Sequence, residues 1–420
     1  MSLEQNRLVQ TYLDAVCAQI KWREVHGEVR SELLSHLEEI ALELKNDGLP
    51  EQDAISTAIY RMGDAVDLGR QFQQTHAPQR NWPLVGAIAL LSCLGLAVMH
   101  ILDTSGVLPG PLHLFVKSVI FTGIGIAMLL WLHCYDFRKL RPYTPHLYAG
   151  TILLWLAVLM LGPSLDGKSF LALGSVSIGG QNHSLFINYI GITPFFLTLA
   201  LAGIFIGKDW TNRPWTMKAA SLLIIPDFLY MISGTAYLAV VFTLIFAVLM
   251  AVSGAPKIRI IGFLLMPFGL FLIKLALIVD NLSLFHIIRS ADLWGQGISM
   301  PKALTAFHTD FVFLYLVHKF GWLAGVGTVA IGCAILLVLV RAVRQIKDQY
   351  GRMVVAGLAA YFTINFSWHV LMSLGLVPVA SVSLPFVSFG GSQTVVNLAA
   401  TGVILSIYKR KNLRNQIMWL

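Results

Sequence analysis

From residue 83 onward the chain is a succession of apolar stretches at 83–102, 113–134, 145–163, 185–206, 216–232, 234–253, 259–279, 311–340, 353–376 and 392–408. Most are close to the roughly 20 residues a helix needs to cross a hydrocarbon core. Such a pattern admits few folds. Inside a bilayer no water satisfies backbone N–H and C=O groups, so only helices and closed barrels span it. Runs of this length read as helices. The predicted class is all-α: a polytopic membrane protein with about ten transmembrane helices, with the lipid bilayer as its surroundings.

Charge sets the count and the orientation. Lys and Arg cluster in alternate connections: Arg138, Lys139 and Arg141; Lys208, Arg213 and Lys218; Lys257 and Arg259; Arg341, Arg344, Lys347 and Arg352; and Lys409, Arg410, Lys411 and Arg414 after the last run. The intervening connections are nearly free of them. Basic loops mark the cytoplasmic side, so both termini are expected there, in the cytoplasmic (inner) membrane. Lys218 and Lys257 belong to the same side, which requires an even number of crossings between them. The stretch from Ala219 to Val252 is therefore read as two spans, broken near Pro226 or Ser233-Gly234. The outer face then carries 103–112, 164–184, a turn near 232, 280–310 and 377–391. The net charge of +8 follows this topology and forms no basic stripe interleaved with aromatics, so nucleic acid is not an expected partner.

Thirteen of the 22 acidic residues lie within 1–80, and no Glu follows Glu51. Residues 1–80 are predicted to form a soluble helical domain ahead of a membrane domain spanning 81–420. Val25, Val29, Leu33, Leu37 and Ile40 follow helical spacing. Gly48 and Gly63 suit helix stops, Pro50 a first turn, and Asp64 an N-cap for a last short helix carrying Leu68. The polar start MSLEQNRLVQ lacks the apolar core of a cleavable signal. The four cysteines, Cys17, Cys93, Cys134 and Cys333, fall outside the predicted outer loops and show no metal-type spacing. His26 and His36 read as surface residues, and His133 and His369 as packing residues on apolar faces.

Two segments of the outer side could carry chemistry. In 294–322, WGQGISMPKALTAFHTDFVFLYLVHKFGW, the triplet His308-Thr309-Asp310 stands where the eighth run begins. Asp310 there is either a partly desolvated general base or, with Thr309, a helix cap. In 383–392, SLPFVSFGGS, Pro and Gly make a non-helical loop before the last run. Irregular backbone at membrane depth is tolerated only when buried in protein or lining a cavity. The nearby cations are Lys168, Lys274, Arg289 and Lys302; Lys274 either faces a cavity or snorkels. Asp227, after Pro226, shares that ambiguity.

These segments carry a resemblance. FHTDFVFLYLVHKFGWLAG resembles the HTDF segment of the SEDS family, which includes RodA, FtsW and SpoVE. LGLVPVASVSLPFVSFGGSQTVVNLAATGVILSIYKR is similar to that family's last loop and span, where LPFVSYGGSS is typical. The resemblance implies ten spans with both ends inside. It implies a peptidoglycan glycosyltransferase that polymerises lipid II, an undecaprenyl-linked precursor, at the outer face, with a class B penicillin-binding protein as partner. It makes Asp310 the catalytic residue. His308, Thr309, Ser388, Gly390 and Gly391 are the matching motif positions expected to contact substrate. Lys274, Arg289, Lys302 and Lys168 are available for the lipid pyrophosphate, with a divalent cation (Mg or Mn) as the alternative. The chain also departs from the family. His318 and Lys319 replace a carboxylate pair. GGQNHS stands where QPSE is expected after LGSVSI, and the Asn usual nine residues before the LP-type proline is His369. Two further functions stay open: a flippase for the same precursor, and a catalytically silent scaffold for a transpeptidase. Within residues 1–80, EVRSELLSHLEEIALEL and then GLPEQDAISTAIYRMGD resemble small prefix domains ahead of Gram-positive permease-type proteins. That resemblance implies a docking or regulatory module with a cytoplasmic partner.

Overall fold

The computed structural model describes residues 3–75, 79, 81–105, 113–165, 168–178, 181–265, 288, 291–295 and 308–411. They fall into two compact units, 1–80 with 409–420, and 81–408. In the first, α1 (Arg7–Ala18), α2 (His26–Asn46), α3 (Glu51–Met62) and α4 (Ala65–Thr75) enclose a small core. On α2 the buried residues are Val29, Leu33, Leu37, Ala41 and Leu44, a stripe at helical spacing that meets Val9, Leu13, Ala54 and Ile55. Ile40 packs at its edge. Gly48 (φ 93°) ends α2. The Asp64 carboxylate accepts from the Val66 and Asp67 amides at 2.8 and 3.0 Å, capping α4. His26 is half-buried rather than a free surface residue, since its Nε2 bonds the Ile20 carbonyl at 2.8 Å. Arg410 belongs to this unit; its buried guanidinium donates to Glu24 at 2.6 and 2.8 Å, the pairing a buried charge requires.

The second unit is a bundle of apolar helices. α5 (Trp82–Thr104), α6 (Leu114–Cys134), α7 (Thr144–Leu161), α8 (Tyr189–Ile204), α9 (Arg213–Ile232) and α10 (Ala236–Val252) precede α11 (Val312–Phe320), α12 (Trp322–Gln345), α13 (Gln349–Ser373) and α14 (Gly391–Lys409). Six described segments are long and apolar enough to cross a membrane: those at α5, α6, α7, α9, α12 and α13. α8 and α10 are shorter apolar helices. The chain is a multi-pass membrane protein. Among those six, α13 is innermost, with 61% of its apolar window buried, and α6 outermost at 11%.

The expected breaks fall at specific places. α9 continues through Pro226 and stops at Ser233-Gly234, where Gly234 has φ 70°. Pro226 has no N–H, so the Leu222 carbonyl loses its helical donor; the Tyr148 hydroxyl of α7 donates to it at 3.0 Å instead. Span four begins at Tyr189 and not at 185, because 171–178 and 181–187 pair as antiparallel strands β3 and β4. A smaller hairpin, β1 (Ser164–Leu165) with β2 (Lys168–Ser169), precedes them. The eighth run is two helices. Gly321 (φ 84°) separates α11 from α12, and a Cβ there would strike the backbone of Leu293 and Gly295. The Trp322 amide donates to the Asp292 carbonyl at 3.1 Å. Only His318-Lys319 interrupts the apolar run before this joint, too short a break to divide it by hydropathy, so a single span is the expectation there. Of span seven, residues 257–265 are helical and the rest lies outside the described residues.

Gly321→Ala puts a side chain into both a left-handed backbone and a backbone contact. It is expected to cost about 1–3 kcal/mol and lower the thermal unfolding midpoint in detergent. Gly327→Ala, in a helix with nothing within 4 Å of the added Cβ, leaves the midpoint unchanged or raises it.

Candidate functional site

The site is built where two irregular segments meet. Residues 308–311 form a turn leading into α11. Val312 to Val317 are each at most 2% exposed, so the first six residues of α11 are buried on every side, as an apolar stretch without a polar face must be. His308, Thr309 and Asp310 are half-buried at its entrance. The N-cap position is Phe311 and carries no side-chain cap bond, so neither Thr309 nor Asp310 occupies it.

The loop at 383–390 supplies what the turn lacks. The Phe389 amide donates to the His308 carbonyl at 2.7 Å. The Ser388 hydroxyl donates to the Thr309 carbonyl at 2.7 Å and accepts from the Leu384 amide at 2.8 Å. The His308 and Phe389 rings lie 5.7 Å apart. Two consecutive carbonyls before Asp310 are thus held by two consecutive residues of the loop. The loop is itself braced. Phe386 adopts φ 68°, an uncommon conformation for a bulky residue. Gly95 of α5 packs so closely that an added Cβ would lie 2.7 Å from the Phe386 carbonyl. Gly391 begins α14, where a Cβ would meet the Phe121 ring at 2.6 Å, whereas Gly390 has open space apart from Gln393.

The motif positions therefore differ in kind. His308, Thr309 and Asp310 come together at the mouth of the turn. Ser388 is buried, and its single proton goes to Thr309, so its hydroxyl holds the turn. Gly391 is a packing position against α6. Lys168 lies in β2, in register with Leu165. Lys274, Arg289 and Lys302 lie outside the described residues. Burial pushes the His308 imidazole below its ordinary value, which leaves it neutral at pH 7. Its Nδ1 is buried without a hydrogen-bond partner among the described residues. Among these residues no three His, Cys, Asp or Glu side chains gather to hold a metal ion.

Several polar groups find partners that the sequence pattern does not give. His369 is fully buried and bonds on both ring nitrogens, to Phe313 and Val382. Gln393 donates to the Tyr361 hydroxyl and approaches Asn397 at 3.4 Å. Gln393 stands two residues beyond the glycine pair, a signal that spacing alone offers. Asp227 is buried, with one carboxylate oxygen accepting from Thr243 at 3.0 Å and the other unmatched among the described residues. Asp103 caps α6 through the Leu114 and Phe115 amides at 2.9 and 2.7 Å, which makes that outer carboxylate structural.

The profile of the FtsW/RodA/SpoVE family, described as a cell cycle protein, matches residues 281–413, the segment that carries both halves of this site. Over those residues the chain is similar to the FtsW/RodA/SpoVE family. A protein of Geobacter sp. (strain M18), named probable peptidoglycan glycosyltransferase FtsW, is 30% identical over 139 residues, covering 30% of this chain and 37% of the relative. That stretch spans about a third of the relative's length. A Coxiella burnetii protein of the same name is 24% identical over 377 residues, 77% of this chain and 96% of the relative. Among solved structures, a chain described under structural coordination of polymerization and crosslinking by a peptidoglycan synthase complex matches with a TM-score of 0.63. It shares 21% identity and covers 79% of this chain and 98% of its own. At that identity the likeness shows a shared fold.

Ser388→Ala removes the donor to Thr309 and the acceptor for Leu384 together. It is expected to cost about 1–3 kcal/mol, read as a lower thermal midpoint, with faster hydrogen exchange at the Leu384 amide.

Proposed function

We propose that this protein is a peptidoglycan glycosyltransferase that polymerises lipid II at the outer face of the cytoplasmic membrane, with Asp310 as general base. The observation that carries the reading is the doubly held turn: a half-buried carboxylate at the entrance of a helix whose first six residues are buried. A base must sit within hydrogen-bond reach of the proton it abstracts and keep that position. In the proposed step the Asp310 carboxylate takes the proton of an acceptor sugar hydroxyl. The hydroxyl oxygen attacks the anomeric carbon of the donor, and that carbon's bond to the lipid pyrophosphate breaks. His308, neutral at pH 7, and Thr309 line the approach to the sugar. Lys168, Lys274, Arg289 and Lys302 are the cations proposed to receive the pyrophosphate charge.

The relatives' names support the activity, and the glycosyltransferase chemistry they denote comes to this chain as part of the same proposal. The proposed partners are a class B penicillin-binding protein, the bilayer, the undecaprenyl-linked precursor, and a cytoplasmic protein for the residue 1–80 domain. Both termini are proposed to be cytoplasmic, from the alternation of basic connections.

Asp310→Asn keeps the side-chain shape and removes the base. Polymerisation of lipid II by the purified protein with its transpeptidase partner is expected to fall at least about 100-fold. A variant that polymerises at the parent rate refutes the base. Translocation of the lipid across liposomes, unchanged in a polymerisation-dead protein, supports the flippase. Full complementation in cells by the Asn variant supports the scaffold.

A further inference from the structure

We propose that His369 is a positioning residue for the transfer reaction: it caps the helix that follows Asp310 and ties it to the terminal loop, closing a hydrogen-bonded circuit around the base. The inference rests on the reading of Asp310 as the base. His369 lies in the last turns of α13 and is completely buried, so it does not meet substrate.

Its two bonds fix its form. Nδ1 lies 2.7 Å from the Val382 carbonyl, which can only accept, so Nδ1 carries the hydrogen. Nε2 receives the Phe313 amide at 3.4 Å, and a backbone amide can only donate, so Nε2 is bare. The imidazole is the neutral Nδ1–H tautomer. The Phe313 amide is one of the first donors of α11, which have no partner within the helix. The N-cap residue Phe311 supplies no side-chain acceptor. His369 provides one from another helix, 56 positions along the chain.

The second bond gives the cap its consequence. Val382 opens the segment that leads through Leu384 to Ser388, and Ser388 holds the Thr309 carbonyl. The path therefore runs from Phe313 to His369, to Val382, along the loop to Ser388, and back to Thr309. Asp310 sits between the two ends of that circuit, bracketed by Thr309 on one side and Phe313 on the other. Both brackets act on main-chain atoms that flank Asp310 and so hold the backbone from which its side chain departs. Losing His369 leaves a buried amide and a buried carbonyl without their partners and frees the α11 side of the bracket. Displacement of a base by about 1 Å can cost on the order of 100-fold in rate.

The test uses the full chain in nanodiscs with its transpeptidase partner and lipid II, and reads kcat, KM and thermal midpoint. The variants are His369→Phe, His369→Asn and His369→Gln, with Asp310→Asn as reference. Asn keeps a donor near the Nδ1 position, and Gln keeps an acceptor near the Nε2 position. The expected result is a kcat about 10- to 100-fold lower for Phe, with KM within about twofold. The Asn and Gln variants fall between, each retaining one bond. If the Phe variant does not fold, Asn and Gln give the same readout. A folded Phe variant at the parent kcat, with Asp310→Asn inactive, overturns the positioning role and leaves the base in place. Loss of kcat equal in all three variants and in step with the thermal midpoint shows a structural role and overturns it too. An active Asp310→Asn variant removes the base itself, and the positioning role with it.

Discussion

The site depends on a rule of backbone chemistry. A polar main-chain group buried away from water must find a partner or cost about as much as a lost hydrogen bond. The turn at 308–311 and the loop at 383–390 are both irregular, and neither can satisfy its carbonyls by helix geometry. Each satisfies the other: the Phe389 amide and the Ser388 hydroxyl serve the His308 and Thr309 carbonyls. That mutual need fixes the turn, and Asp310 inherits its place from the turn.

The same economy recurs elsewhere in the unit. Pro226 deprives Leu222 of a donor, and Tyr148 from another helix replaces it. The N-cap residue Phe311 makes no side-chain cap bond, and a histidine of α13 accepts from the Phe313 amide. The Trp155 indole reaches Ser233, where α9 ends. In a lipid-facing bundle such repairs are constrained to come from neighbouring helices, which locks helices together at the points where each is weakest. Small residues let those repairs happen at short range. Gly95 admits the loop backbone, and Gly321 and Gly295 admit one another's chain segments.

Much of this was legible in the sequence, and the reasons for the rest are physical. Charge parity alone required a break between Lys218 and Lys257, and it stands at Ser233-Gly234, because a chain end can turn at a glycine with positive φ while Pro226 needs only a borrowed donor. Gly48, Gly63 and Asp64 read as stops and a cap because such signals are local. The joint at Gly321 did not show, since only the pair His318-Lys319 interrupts the apolar run there and the requirement comes from Leu293 and Gly295, distant in sequence. The strand pair at 171–187 was hidden by an apolar end, LFI, that looked like the start of a span. His369 read as packing because one histidine on an apolar face has no periodic signature; its role exists only once Phe313 and Val382 are neighbours. Ser388 was expected at substrate, and burial turned its hydroxyl to the backbone instead. Three of the cations assigned to the pyrophosphate fall outside the described residues, so their assignment rests on topology.

The central claim is that the held turn presents the Asp310 carboxylate to the acceptor sugar. The most direct measurement is an electron cryo-microscopy structure of the protein and its transpeptidase partner with a non-reactive lipid II analogue in the acceptor site. The account predicts an Asp310 carboxylate oxygen within about 3.2 Å of the acceptor hydroxyl, with the Ser388–Thr309 and His369–Phe313 bonds intact. An acceptor sugar bound on the outer face with its hydroxyl beyond reach of Asp310, and served by another group, would contradict it.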